Sequence, residues 1–163
     1  MLRAAKRNFF LQDFSDCGFP RSRSTIRSMF CPCGTSKRYE ECCKPFHEGK
    51  SPEHAVLLMR SRFAAYALHL PEYIIETTHP KNPHYQSDPV KWAQEISEFC
   101  QNTQFKGLKI LESSETGSVA TVTFRATLFQ DGKDASFTEK SAFEKVRGRW
   151  LYRRGEMYPS IPK

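Results

Sequence analysis

Several things are missing from this 163-residue chain, and each absence removes a class of function. No apolar stretch approaches the roughly 18 residues that a membrane helix needs. Near the start, Phe9, Phe10 and Leu11 are too short a run for a secretory signal, and Gln12 and Asp13 interrupt it. A cytoplasmic location, where thiols stay reduced, is the expectation. There is no Ser-His-Asp pattern and no phosphate-binding glycine loop, and the carboxylates form no spaced acid/base pair. Aromatics interleaved with glycines on a strand, a mark of many RNA binders, are also missing, so nucleic acid is only weakly suggested as a partner. No internal repeat is visible. The balance leans away from an enzyme.

What is present supports a packed core. The hydrophobic fraction is 39%, with thirteen Phe, and the length suits one domain with a small appendage. The net charge of +7 is uneven: residues 1–28 hold six basic residues against Asp13 and Asp16. That segment alternates basic, polar and aromatic residues without sustained periodicity, and reads as a flexible basic extension. Met29, two residues before Cys31, is a second place at which translation can begin.

Four of the six cysteines, Cys31, Cys33, Cys42 and Cys43, fall within thirteen residues. In a reducing compartment such crowding points to a metal rather than to disulfides. Two cysteines one residue apart turn both sulfurs to one side of a bend, which Pro32 and Gly34 favour. The eight residues before Cys42 leave room for a turn and a short helix over Arg38 to Cys43, ended by Pro45. A vicinal pair is strained as a disulfide but feasible on one metal. Four thiolates close a structural zinc site with no open position for catalysis. Free or redox-active thiols and an iron–sulfur cluster are the alternatives, and His47 is a substitute ligand should one cysteine stay out. Cys17, in the extension, and Cys100, on a helix face, read as ordinary. A segment of about twenty residues buries too little apolar surface to fold alone, so a metal would act as its staple.

Beyond residue 50 the pattern is helical. Ser51 and Pro52 read as an N-cap and first helical position, followed by Val56, Met59, Phe63, Tyr66, Ala67 and Leu70 at helical spacing. Pro71 interrupts, PEYIIETTHP reads as a short second helix, and Asp88-Pro89 starts a third with Trp92, Ile96 and Phe99 or Cys100 inward. Four strands follow, over 106–113, 118–130, 135–146 and 149–154. The second alternates Ala120, Val122, Phe124, Ala126 and Leu128 with polar residues. Glu115-Thr116-Gly117, Asp131-Gly132 and Arg147-Gly148 mark the turns. Helices first and a meander after define an α+β domain with helices on one sheet face.

CPCGTSKRYEECC resembles the SEC-C motif, the zinc-binding element of the SecA translocation ATPase and of several small bacterial proteins. PFHEG, LMRSRFAAYAL, EYIIETTHP and FTEKSAFEKVRGRWLYRRGE extend the likeness, from about Phe30 to Glu156, to the YchJ family. That resemblance implies an SEC-C element over 29–50 joined to a nuclear-transport-factor-2-like domain over 51–158, a curved sheet and helices forming a cone. Two departures stand out. The family segment Glu-Arg-Ser-Arg-Phe is here Glu139-Lys140-Ser141-Ala142-Phe143, and a tryptophan common before the His-Pro pair is Thr78.

In SecA the resembling element engages partner proteins and ribosomes, which implies a non-catalytic adaptor role. Lys37, Arg38 and Lys44 give the element a basic surface suited to acidic protein or ribosomal phosphates, although a solvated basic turn reads nearly as well. The alternative is a small-molecule-binding or enzymatic cone, with Arg60, Tyr66, His79 and Glu139 as candidate pocket residues. Each has a plainer reading: His79 as a helix-end cap, Arg60 and Arg62 as solvated or ion-paired, Glu139 as the partner of a neighbouring cation.

Overall fold

The computed structural model describes residues 29–158. The expected extension over 1–28, with Cys17, lies outside the described residues. The chain begins with a tight knuckle at the first cysteine pair, then a 3-10 turn, Tyr39–Glu41, and α1, Lys44–His47. Next come α2, Ala55–Ala67, α3, Pro71–Glu76, and α4, Pro89–Gln101. The strands are β1, Thr103–Thr116, β2, Val119–Gln130, β3, Lys133–Asp134, β4, Phe137–Val146, and β5, Arg149–Tyr158. They form one antiparallel sheet in the order β1-β2-β4-β5, with β3 paired to β2. The expected α+β architecture is present, with the cysteine cluster at its front. No helix among the described residues is long and apolar enough to cross a membrane.

The inward face of β2 is the one its alternation predicts: Ala120, Val122, Phe124, Ala126 and Leu128 are all buried. Against them pack Leu58, Met59 and Phe63 of α2, and Trp92, Ile96 and Cys100 of α4. Burying each large apolar side chain contributes about 1.5–3 kcal/mol, so this interface dominates the stability. Of the two alternatives on α4, Cys100 is buried and Phe99 is exposed. Asp88 caps α4 as expected, accepting from the N–H groups of Val90 and Lys91. Asp131-Gly132 and Arg147-Gly148 both have positive φ, the backbone of a type I′ turn that matches strand twist.

Four local expectations are corrected. Ser51 and Pro52 do not start α2, which begins at Ala55. Its first N–H is met by the Glu115 carboxylate at 3.1 Å, from the far end of β1, so the cap comes from tertiary structure. Leu70 lies outside α2, because His69 turns left-handed and the Leu70 N–H returns to the Ala65 carbonyl. The following Pro71 also disfavours helical geometry at Leu70. Pro45 does not end a helix but sits in the first turn of α1, where its missing N–H costs nothing. Finally, β1 is longer than 106–113, and irregularities at Phe105/Gly107 and Ile110/Glu112 bend it.

Candidate metal centre and cone pocket

The first cysteine pair is held by a tight backbone fold. The Cys31 N–H donates to the Lys37 carbonyl at 2.8 Å, and Gly34 and Ser36 adopt positive φ. Gly34 also seats against β1: a Cβ there would lie 2.7 Å from the Leu108 carbonyl oxygen. The second pair follows the 3-10 turn, with Cys43 opening α1 by accepting from the Phe46 and His47 N–H groups.

These two local folds bring all four sulfurs within 4.8 Å of one another. Cys33 and Cys42 Sγ are 3.4 Å apart and Cys42 and Cys43 Sγ 3.9 Å. A tetrahedral thiolate site has edges of roughly 3.8 Å, so the donor set fits one metal ion. Cys31, Cys33 and Cys43 are buried, with Ala64 of α2 packed on them, and Cys42 is half-buried. None of the five described cysteines forms a disulfide.

Crowding also polarises the thiols. Cys33 is held far below the ordinary thiol range, chiefly by the hydrogen bond from Cys31, with Cys43, Thr35 and Cys42 adding to it. Cys31 is pushed up to about 12, mainly because it shares its proton with Cys33. Cys43 moves up through its bonds with Cys31 and Cys33. A metal would bind all four sulfurs as thiolates and displace the protons that the other thiols share around Cys33.

His47 is a substitute ligand only should one cysteine stay out; all four sulfurs are gathered, and both ring nitrogens of His47 are engaged elsewhere. Nδ1 lies 2.8 Å from the Tyr39 hydroxyl and Nε2 2.9 Å from the Ser61 carbonyl. Nε2 therefore carries the proton and Nδ1 accepts, and burial holds the ring's pKa down, keeping it neutral. The ring also meets Tyr73 edge-on at 4.6 Å. His47 is a strut between the cysteine lobe and the cone.

The four candidate pocket residues separate into two pairs. Tyr66 and Glu139 line a cavity of about 180 Å³ between α2 and the sheet. Arg60 does not: it reaches the cysteine lobe, donating through Nη1 to the Cys33 carbonyl at 2.7 Å. His79 does not either. It is buried in the turn after α3, where Nδ1 accepts from the Lys81 N–H at 2.9 Å and Nε2 lies 3.6 Å from Glu144. Rather than capping carbonyls, its ring accepts a backbone N–H.

The residue that sequence reasoning undervalued is Arg62, which is 5% exposed and has no ion pair among the described residues. Its Nη1 donates to the Ile74 carbonyl at 2.9 Å, the Thr77 hydroxyl at 2.6 Å and the Thr78 hydroxyl at 3.1 Å. Its guanidinium lies 4.7 Å from the centre of the Tyr152 ring. Across the cavity, Glu139 Oε1 accepts from Ser141 at 2.6 Å and from Tyr152 at 3.1 Å. Gly155, opposite Ser141 in the ladder, makes room for this pair, because a Cβ there would collide with the Glu139 carboxylate and the Tyr152 hydroxyl. Burial pushes the Tyr66 and Tyr152 hydroxyls up, keeping both protonated. The signal for Arg62 was its position between Met59 and Tyr66, on a helix whose other inward residues are apolar or small.

The departures from the family pattern now have locations. Lys140 and Ala142 alternate away from the cavity, whereas Glu139 and Ser141 line it. Thr78, where a tryptophan is common, instead holds Arg62. A wider depression of about 360 Å³ over Thr116, Glu144 and Arg153 is open to solvent, and Arg153 and Glu144 face each other there at 3.7 Å.

A bent antiparallel sheet closed by helices over a cavity defines a nuclear-transport-factor-2-like domain, here carrying a four-cysteine element at its front. The family model for the YchJ middle NTF2-like domain matches residues 54–155. A UPF0225 protein of Streptomyces avermitilis is 35% identical over 148 residues, covering 85% of this chain and 96% of the relative. The chain belongs to the YchJ (UPF0225) family. A solution structure of an SEC-C motif containing protein from Rhodopseudomonas palustris is similar at 37% identity and a TM-score of 0.67, covering 80% of this chain and all of that one. A crystal structure of a SEC-C motif containing protein from Psychrobacter arcticus matches at 25% identity and TM-score 0.65, over 81% of this chain and 84% of that one.

Proposed function

We propose that this protein is a zinc-binding, non-catalytic adaptor of the cytoplasm, in which Cys31, Cys33, Cys42 and Cys43 hold Zn2+ and stiffen a knob that docks on a protein or ribosomal partner. The closed four-thiol cluster carries this reading. Its buried sulfurs leave no room for substrate, whereas the knob's outer side presents Met29, Phe30, Lys37 and Arg38, with Phe30 72% exposed. An apolar ring beside two cations suits an acidic surface with apolar gaps, and a metal-frozen loop has already met its ordering cost. Two cations are few for a nucleic acid groove, so RNA alone is the weaker partner.

The test is affinity capture from a lysate with the intact protein, the Phe30→Ala and Arg38→Glu variants, and chelated protein. The adaptor reading expects one set of acidic or ribosomal partners, lost in all three altered samples. A partner set unchanged by these alterations refutes it.

A second reading, that the cone binds a small molecule, is favoured by one observation. Arg62 and Glu139 line the same aromatic cavity, and neither forms an ion pair within 4 Å among the described residues.

A further inference from the structure

The cone cavity has aromatic walls and three incompletely used polar groups. Arg62 directs its hydrogen bonds through Nη1 alone, so Nη2 and Nε have no acceptor among the described residues. Glu139 accepts only through Oε1, leaving Oε2 without a donor. The Tyr66 hydroxyl makes no hydrogen bond among the described residues, although its ring packs against Phe99 and Phe105. Among the described residues no buried side-chain polar atom is left unpaired, so these atoms keep contact with solvent, and all three residues line the cavity.

Size and charge then restrict the occupant. A volume of about 180 Å³ is below the roughly 300–1,000 Å³ of pockets for drug-sized ligands. It is close to the roughly 150 Å³ cavity that accommodates benzene, so one ring with a small substituent fits. Phe63, Phe105, Phe124 and Phe137 supply apolar and edge contacts for a flat ring. An anionic ligand would meet Arg62 favourably but bring a second carboxylate beside Glu139. A cationic one would meet the reverse. A neutral ligand that accepts on one side and donates on the other satisfies both groups without burying net charge.

We propose that the cone binds a small uncharged planar ring bearing adjacent C=O and N–H groups, that is, a lactam or an aromatic carboxamide. The ring lies among the phenylalanines, its carbonyl accepts from Arg62 or Tyr66, and its N–H donates to Glu139. The proposal rests on the reading of the cone as a small-molecule pocket. Gly155 and Thr78 enter as positioning residues, one clearing space for Glu139 and the other holding Arg62.

The experiment is a methyl-NMR titration of the full chain with three probes of matched size: benzamide, benzoate and benzylammonium. Expected is saturable movement of the Met59, Ala126 and Leu128 methyl signals with benzamide, and binding at least about tenfold weaker for either ion. Glu139→Gln, checked for a native spectrum, removes the charge beside the site and narrows the gap between benzamide and benzoate. Tyr66→Phe, which breaks no protein hydrogen bond, weakens benzamide about threefold. Benzoate or benzylammonium binding as tightly as benzamide overturns the ligand class while leaving the pocket reading intact. No movement of those methyls with any probe overturns both.

Discussion

Arg60 and Arg62, two residues apart on α2, serve opposite sites: Arg60 grips the Cys33 carbonyl, and Arg62 lines the cone. Helical geometry places them about 200° apart, so one helix presents a guanidinium to each. Arg60 also brings positive charge to a cluster that four thiolates and one zinc would leave net negative. Orienting partners of this kind commonly alter metal affinity about 10–100-fold. Arg60→Ala is therefore expected to speed zinc loss to a chromogenic chelator by about tenfold, with Arg154→Ala as an inert surface control. Equal release rates would remove Arg60 from the metal site.

Elemental analysis of the purified chain should give about one zinc. Removing it with chelator should lower the melting temperature, because the lobe then holds thiol groups in place of a metal bond. Iron in its place, or a melting curve indifferent to chelation, counts against the staple.

His47→Phe separates strut from ligand. It keeps a ring against Tyr73 but removes the side-chain donor to the Ser61 carbonyl and the acceptor of the Tyr39 hydroxyl, which should cost about 1 kcal/mol in a denaturant melt. Zinc content should remain that of the parent. Loss of metal in this variant would make His47 a ligand after all.

Alkaline stability reports on Tyr73, whose hydroxyl burial pushes up to about 12 from 10. Folded protein keeps this proton to higher pH than the unfolded chain, so the contribution is whole below pH 10 and is lost as pH rises from 10 towards 12. The loss is on the order of 2 kcal/mol. Tyr73→Phe should flatten that decline, read from chemical melts at stepped pH, and Ser61 still donates to the Leu58 carbonyl in this variant. A parental decline in the variant would assign the effect to other groups.

Gly155→Ala probes the space behind Glu139. Crowding a packed site typically costs about 1–3 kcal/mol, and Glu139 should lose its bond from Tyr152. Gly107→Ala, where nothing lies within 4 Å of the added carbon, should be nearly neutral. Similar melts for both variants would show that Glu139 moves aside freely.

Much of this was legible in the sequence because it depended on local rules. The inward face of β2, the Asp88 cap and the cysteine spacing each involve neighbours along the chain. What escaped depended on partners far away. The α2 cap comes from Glu115, sixty residues on, and β1 hid its length behind irregularities that break period-two alternation. Of the residues singled out for a pocket, Tyr66 and Glu139 line the cavity, whereas Arg60 and Arg62 differ only in the direction each faces. Gly155 carries no side chain to betray that its value is emptiness.

Gly34, seated on the Leu108 carbonyl, also imposes an order in time. Synthesis proceeds from the N-terminus, so all four cysteines are made well before the strand on which Gly34 seats. If these thiols hold a metal, a nascent chain could gather it before α2, whose Ala64 packs on them, has docked. Once β1 is made and docked against Gly34, an ion in that cluster would be held in by protein that did not yet exist when it was taken up.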